Sequence, residues 1–489
     1  MKTRTSFRGP AKFSTERWRI LLFAGFSYYF LLYNTLVQST IYFYGGAGTV
    51  TGSNFLLDGG SAKFLVDCGL LQSEHTCEDS NWNPFPFDPK EITALIITHA
   101  HIDHVGRVPL LIKRGYTGPI ISTEATKAIA GPLLLDSMEI LEAEARRCGA
   151  EVLYTKEDIA RAMEYWDTLP LHEPKALSGG VTLEFLDSGH ILGSAMAKFT
   201  RGGASVVFTG DLGGGGSPLL PPCEVPTGTQ YLVMESVYGD RVRSAQQQRR
   251  DALEDIIENN AAHKGTLLIP AFSTERTQDL LFEIRELMVG KRVPSMPVFI
   301  DSPLAEKITE SFLRYPQYFS PAVRGRVETG ENIFAFSEAK FAATLDESRA
   351  ADAAPAPKII IAGSGMSQGG RIREHESHVL PDEKSTLLIV GYQAAGSLGR
   401  KLVEGAKKVR VGQHEVSVRC KVEAIYAYSA HMDGEQLVDF VNKFHDSLKQ
   451  VFVVMGEPVA SATLTQRLRD YLGVNARAPA AGEKAVIDF

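Results

Sequence analysis

The chain has 489 residues, 44% of them hydrophobic and 22% charged. This excludes a disordered, collagen-like or multi-pass membrane protein and allows two or three domains around a large core. With 51 Lys and Arg against 58 Asp and Glu, the formal net charge is -7, so nucleic acid would have to be met by a local basic surface.

The first 19 residues carry six basic side chains and one acid, and no charged residue then occurs until Asp58. The apolar run 20–36 reads as a membrane anchor or a signal peptide, although Asn34 and Thr35 break its end. A third reading is a leader preceding an alternative bacterial start at Leu36 or Val37. The globular chain is predicted to begin near 39–42. The runs 39–48, 53–60 and 62–69 then read as strands joined by glycine turns. Run 94–99 (ALIITH) is a buried strand ending in polar residues. Stretch 125–147 is a helix, with Pro132 near an inner boundary. Runs 181–190, 204–213 and 230–240 are further strands with polar ends.

After about residue 241 the pattern changes. Helical stretches at 249–264 and 274–289 alternate with strands at 265–270 and 296–301, which predicts βαβ units and a parallel sheet. Runs 358–365 and 386–393 continue that sheet, and 348–358, rich in Ala and Pro, reads as a surface loop. Residues 408–431 return to β structure before a helix–strand–helix tail. The organisation predicted is a possible leader or anchor (1–38), a β-rich domain (39–241), an inserted α/β domain (242–415) and a closing part of the first domain (416–489). Five scattered cysteines, never paired as CxxC, argue against a disulfide framework or a cysteine-type zinc site and suit a reducing, cytoplasmic setting. The alternative is a membrane-anchored protein held through 20–36.

The strongest chemical signal follows the strand at 94–99. His99, His101, Asp103 and His104 fall within six positions, in a chain with only 12 histidines. Residues two apart in an extended segment project to one side, so His99 and His101 can grip one ion. The chain then turns, and Asp103 and His104 can face a second. His190 and Asp211 stand at the ends of later strands, where polar residues from successive strands can converge on one rim. The HESH stretch at 375–378 resembles a metal pair superficially and is read as a solvated helix face.

THAHIDHVGRVP, with FLVDCG before it and DSGH and FTGD after it, resembles the metallo-β-lactamase superfamily. MESVYGD, PAFSTERTQDLL, DSPLA, GSGMSQGGR, GYQAAGSLGR and AYSAHMD narrow the resemblance to its β-CASP branch, which includes the pre-mRNA 3′-end endonuclease and bacterial and archaeal ribonucleases. The resemblance implies an α/β fold: an αββα sandwich interrupted by an inserted β-CASP domain with a largely parallel sheet. It implies a metal-dependent ribonuclease acting on single-stranded RNA through two zinc ions (Zn²⁺, with Mn²⁺ possible) and no small-molecule organic cofactor. His99, His101 and His190 would hold one ion, Asp103 and His104 the other, and Asp211 would bridge them. Asp67 would support the ligands without being one. Asp103, Glu235 and His431 would be catalytic, His431 protonating the leaving oxygen and Glu235 orienting it. Arg276, Arg371 and Arg400 lie in segments that would meet backbone phosphates. A homodimer is possible.

One departure stands out. The family's last motif reads V-H-G-E, and this chain has Val454-Met455-Gly456-Glu457. A thioether is a poor substitute for imidazole on zinc or manganese. Two alternatives to an active ribonuclease follow: a weakly active or non-catalytic RNA-binding partner, and a hydrolase for DNA or another phosphodiester or ester.

Overall fold

The computed structural model describes residues 38–72, 80–242, 247–367, 369–391, 393 and 396–489. The leader or anchor read at 1–38 lies outside them, apart from Gln38, which opens the first strand. Among the described residues no helix is long and apolar enough to cross a membrane.

Two seven-stranded sheets form the body. The first runs, edge to edge, from the C-terminal strand Lys484–Asp488 through Gln38–Gly45, Asn54–Asp58, Lys63–Val66, Ala94–Ile96 and Ile120–Ser122 to Trp166–Thr168. The second is built from Ala476–Arg477, Gln450–Val453, Tyr231–Met234, Ala204–Phe208, Ala195–Arg201, Thr182–Asp187 and Lys175–Ala176. Alternate residues face inward, so Ile41 and Phe43 of one sheet meet Phe208 and Phe452 of the other in a shared cluster. Phe43 lies 5.3 Å from Phe452, and Phe64 lies 5.7 Å from Phe199, between ring centroids. Each fully buried ring of this kind contributes roughly 1.5–3 kcal/mol. Helices cover the outer faces. Leu134 and Met138 of helix Glu124–Cys148 pack with Leu95 and Ile97, and Leu437 and Leu464 of helices Gly434–Asn442 and Pro458–Leu472 pack with Leu232 and Val451. The result is an αββα sandwich.

Pro132 does not end its helix, which runs unbroken for 25 residues. Thr123 caps it by accepting from the Thr126 N–H, Gly149 closes it at φ +64°, and Ile129 and Leu134 on either side of the proline are buried. These contacts outweigh the roughly 3 kcal/mol that an interior proline costs.

Between Met234 and Gln450, whose strands pair in parallel, the chain builds a six-stranded sheet. Its order is Ala339–Phe341, Val298–Asp301, Lys358–Ala362, Thr266–Pro270, Thr386–Ile389, Lys421–Ala424. Every pairing in it is parallel. Its central strands are buried at every position, as helices on both faces require. Strand Lys421–Ala424 still pairs with Thr386–Ile389. By hydrogen bonding this strand completes an open edge of the inserted sheet. The stretch 348–358 is not simply a loop. Leu345–Ala353 is helical, with a capping box between Thr344 and Glu347 and alanines of high helix propensity. One thiol also departs from expectation: Cys148 is disulfide-bonded, while Cys68, Cys223 and Cys420 are free.

Candidate metal centre

Strand ends from both sheets meet at one rim of the sandwich. Beyond strand Ala94–Ile96 the chain stays extended to His101, which sits at φ -61°, ψ 148° as the N-cap of the short helix Ile102–Val105. His99 and His101 thus share a side, and the helix carries Asp103 and His104. Donor atoms of His99, His101, His190 and Asp211 lie within 4.8 Å of one another. His99 Nε2 is 3.1 Å from His101 Nδ1 and 3.4 Å from Asp211 Oδ2, and His190 Nε2 is 3.2 Å and 3.5 Å from the same two atoms. Ligands at about 2.0–2.1 Å from a tetrahedral ion are spaced about 3.3–3.4 Å apart. Three imidazoles and one carboxylate at this spacing fit a divalent metal. Burial, together with the neighbouring imidazoles His99 for His101 and His431 for His190, holds both rings well below the ordinary histidine range. They are neutral, the form that binds metal.

Asp67 explains how His104 is aimed. It sits at φ +59° at the end of strand Lys63–Val66. Its carboxylate accepts from Ser53 Oγ at 3.0 Å and from the Thr98 N–H at 2.9 Å, and lies 2.7 Å from His104 Nδ1. His104 Nε2 is thereby turned to within 3.3 Å of Asp211 Oδ1. Both atoms are buried and face each other at ion-pair distance without good hydrogen-bond geometry. Burial opposes a charge on His104, but Asp211, Asp67 and Asp103 outweigh it and raise its pKa well above the usual range. Asp103 is partly exposed, with Oδ2 3.9 Å from His104 Nε2. It does not belong to the four-residue cluster.

Asp211, Glu235 and His431 form a second convergence. Glu235 is buried, accepts from the Leu212 N–H at 2.7 Å and lies 3.1 Å from His431 Nδ1. A β-bridge between Gly213 and His431 fixes the histidine segment to the Asp211 loop. The His431 ring rests 4.6 Å from that of His190.

Met455 is buried in the cluster between the sheets, with φ +46°. A Cβ placed on Gly46 would lie 2.4 Å from its Sδ, so the thioether packs tightly over that glycine. Glu457 is exposed and occupies the N-cap of helix Pro458–Leu472.

The three arginines divide. Arg276 is buried and its guanidinium is bound to Asp279 at 3.0 Å. Arg371 binds Asp301 and donates to the carbonyls of Ala342 and Ala343 at 2.8 Å. Neither is placed to meet a substrate phosphate, because each guanidinium already serves buried or loop acceptors. Arg400 is half-buried, pairs with Glu404 and lines a cavity beside Tyr238 and Tyr426. His375 is not on a solvated helix face: it is fully buried, 2.7 Å from both Asp301 and Asp352. Sequence patterns missed Ser53 and Thr98, whose hydroxyls hold Asp67 and carry no motif of their own. They also missed Glu275, whose Oε2 accepts from the Leu192 N–H in the His190 loop at 3.1 Å.

Comparison with known proteins agrees with this geometry. Residues 47–261 match the model of the metallo-β-lactamase superfamily, 277–402 that of the β-CASP domain, and 415–479 that of the Zn-dependent metallo-hydrolase RNA specificity domain. The chain is 34% identical over 398 residues to Ribonuclease TTHA0252 of Thermus thermophilus, covering 81% of this chain and 89% of that protein. It is 31% identical over 430 residues to the transcription termination factor FttA of Methanocaldococcus jannaschii, covering 85% of this chain and 66% of that protein. An RNase J-like protein of the same organism is 29% identical, with 90% and 98% covered. Among solved structures, a protein of unknown function from Enterococcus faecalis V583 shares the fold, with a TM-score of 0.56 at 12% identity, covering 92% of this chain and all of that one. The chain belongs to the metallo-β-lactamase superfamily and, within it, to the β-CASP branch.

Proposed function

We propose that this chain is a metal-dependent ribonuclease that hydrolyses phosphodiester bonds of single-stranded RNA. The observation that carries the reading is the tetrahedral spacing of the His99, His101, His190 and Asp211 donors beside the Glu235–His431 pair. The ribonuclease names of its relatives support it. His99, His101 and His190 would hold a divalent ion with Asp211, and zinc suits a donor set of imidazole and carboxylate. His104, Asp103 and the second oxygen of Asp211 would serve a weaker second site, with Met455 contributing little. Divalent metal held by these residues would supply an acidified water and a Lewis acid for a phosphoryl oxygen.

The chain's own groups do the rest. Asp67 holds His104 in one orientation through Nδ1. Glu235 fixes His431 through Nδ1, leaving Nε2 to hand a proton to the leaving oxygen. Met455 favours a second reading, an RNA-binding protein with little catalysis.

Incubation with end-labelled single-stranded RNA and added Zn²⁺ or Mn²⁺ separates the two. Cleavage that falls about 10³-fold or more in Asp103→Ala and in His99→Ala is expected of the nuclease. RNA bound but intact in the unmodified chain would support the binding partner. Equal cleavage of single-stranded DNA would broaden the substrate class.

A further inference from the structure

A cavity of about 250 Å³ opens beside the candidate centre, lined by Tyr238, Arg241, Gln393, Arg400 and Tyr426 among others. Tyr238 and Arg241 follow strand Tyr231–Met234 of the sandwich, whereas Gln393 and Arg400 follow strand Thr386–Ile389 of the inserted sheet. The cavity therefore lies where the two halves of the molecule face each other. The Tyr238 ring stands edge-on to His431, with 6.1 Å between centroids. Whatever occupies the cavity is a neighbour of the group that would protonate the leaving oxygen.

The walls have the chemistry of a nucleotide site. Tyr426 is 46% exposed, yet it sits in a tight turn, Tyr426–Tyr428, whose other two residues are buried. Tyr428 anchors that turn by bonding Glu283. A large ring held rigidly at the rim of a cleft loses little entropy when a base stacks on it. Arg241 and Arg400 are 47% and 41% exposed at the side chain. Each has an adjacent acid, Asp240 at 3.3 Å and Glu404 at 2.6 Å. Exposed pairs of that kind are worth at most about 1 kcal/mol, so a bidentate phosphate displaces them readily. Gln393 is 5% exposed and donates through Nε2 to Gly365 O at 2.9 Å, while its Oε1 accepts no hydrogen bond. That oxygen packs against Gly399, so the side chain is a fixed part of the cavity wall and reads no base.

We infer that this cavity is the subsite for the nucleotide next to the scissile phosphate on the leaving-group side. The base stacks on Tyr426, and the adjoining backbone phosphate sits between Arg241 and Arg400. The inference rests on the ribonuclease reading and adds to it the place where one nucleotide is gripped. Stacking on one aromatic ring is sequence-tolerant, so the site would select single-stranded over paired RNA without reading sequence.

The test uses the full chain and a fluorescently labelled single-stranded oligoribonucleotide in metal-free buffer, with affinity read by anisotropy. Tyr426→Ala is expected to weaken binding about tenfold, and Tyr426→Phe, which keeps the ring, to bind as the unmodified chain does. Arg241→Gln should lower the slope of log affinity against log salt by about one. Unfolding temperatures of the variants should match the unmodified chain, since Tyr426 and Arg241 are exposed. Unchanged affinity in Tyr426→Ala, or equal weakening in Tyr426→Ala and Tyr426→Phe, overturns the subsite and leaves the ribonuclease reading standing. Failure of the unmodified chain either to bind or to cleave the oligonucleotide sinks the ribonuclease reading and the subsite with it.

Discussion

Met455 occupies a left-handed backbone conformation, φ +46°, that costs a non-glycine residue about 1–2 kcal/mol. The strain is held by a hydrogen bond from its N–H to Gly46 O at 2.6 Å and by another from the Ser236 N–H to its own carbonyl at 3.2 Å. The loop is thus set by its neighbours, and Met455→His should fold. Position 455 is where the family motif V-H-G-E carries its histidine, so an imidazole there would add a nitrogen donor to those of His104 and Asp211, which face each other at 3.3 Å. Met455→His is expected to raise the zinc retained per chain after dialysis, read by elemental analysis, and to raise RNA cleavage about tenfold or more. Unchanged metal content and rate would show that the position is dispensable. Asp67→Asn tests the support of His104 from behind. Asn tolerates φ +59° and still accepts from Ser53 or Thr98, but it no longer offers His104 a charged acceptor. Metal affinity by chelator competition should fall about 10–100-fold with little loss of stability. Most of this site was legible as residues: His99, His101, Asp103 and His104 fall within six positions, and the spacing of His99 and His101 gives them a shared side. Arg276 and Arg371 misled because a sequence does not show whether a guanidinium is already bound inside. Asp279, three residues after Arg276, claims one, and Asp301, seventy positions away, claims the other.

The elements of the inserted half hold together partly through charge. Helix Ile372–Val379 brings His375 between Asp301, at the end of strand Val298–Asp301, and Asp352, in helix Leu345–Ala353. One imidazolium thus ties three elements together. Burial opposes its charge, but hydrogen bonds to Asp301 and Asp352 prevail and raise its pKa to about 9. A histidine raised in the folded state contributes stability that is fully present below its unfolded value near 6.5 and is lost as pH rises through about 9. The contribution is on the order of 3 kcal/mol. His375→Gln should therefore lower the urea midpoint at pH 6 by far more than at pH 9.5, and an equal gap at both pH values would refute the charged role. Alternation of strand and helix made this sheet legible in the sequence. The HESH stretch was not, because helical periodicity places His375 on a face without saying that two distant carboxylates close over it.

On the scale of the molecule, the inserted half can influence chemistry whose candidate metal ligands stand on the sandwich. Glu275 supplies a route. It precedes helix Arg276–Val289 with φ +63°, is buried, and reaches out of the inserted half with both oxygens. Oε2 accepts from the Leu192 N–H, two residues from His190, and Oε1 accepts from Ser217 Oγ at 3.0 Å. Ser217 Oγ also lies 2.7 Å from Asp279 Oδ1, and one hydroxyl proton cannot serve two carboxylates. Burial and the charge of Asp279 raise Glu275 well above the carboxylate range. Burial likewise raises Asp279 to about 6, although Arg276 and Arg249 pull it down. A protonated Glu275 can donate toward the other members of this group while still accepting from Leu192, so the contact across the two halves is neutral and survives burial. Its loss would free the loop that aims His190. Glu275→Ala is expected to weaken metal binding about 10–100-fold and to lower the cleavage rate with it. Glu275→Gln keeps an oxygen for Leu192 and an amide N–H for the hydroxyl, and should retain most of both. If the alanine variant loses only unfolding temperature while its metal affinity stays that of the unmodified chain, Glu275 is a fastening between the halves and not a positioning residue for His190.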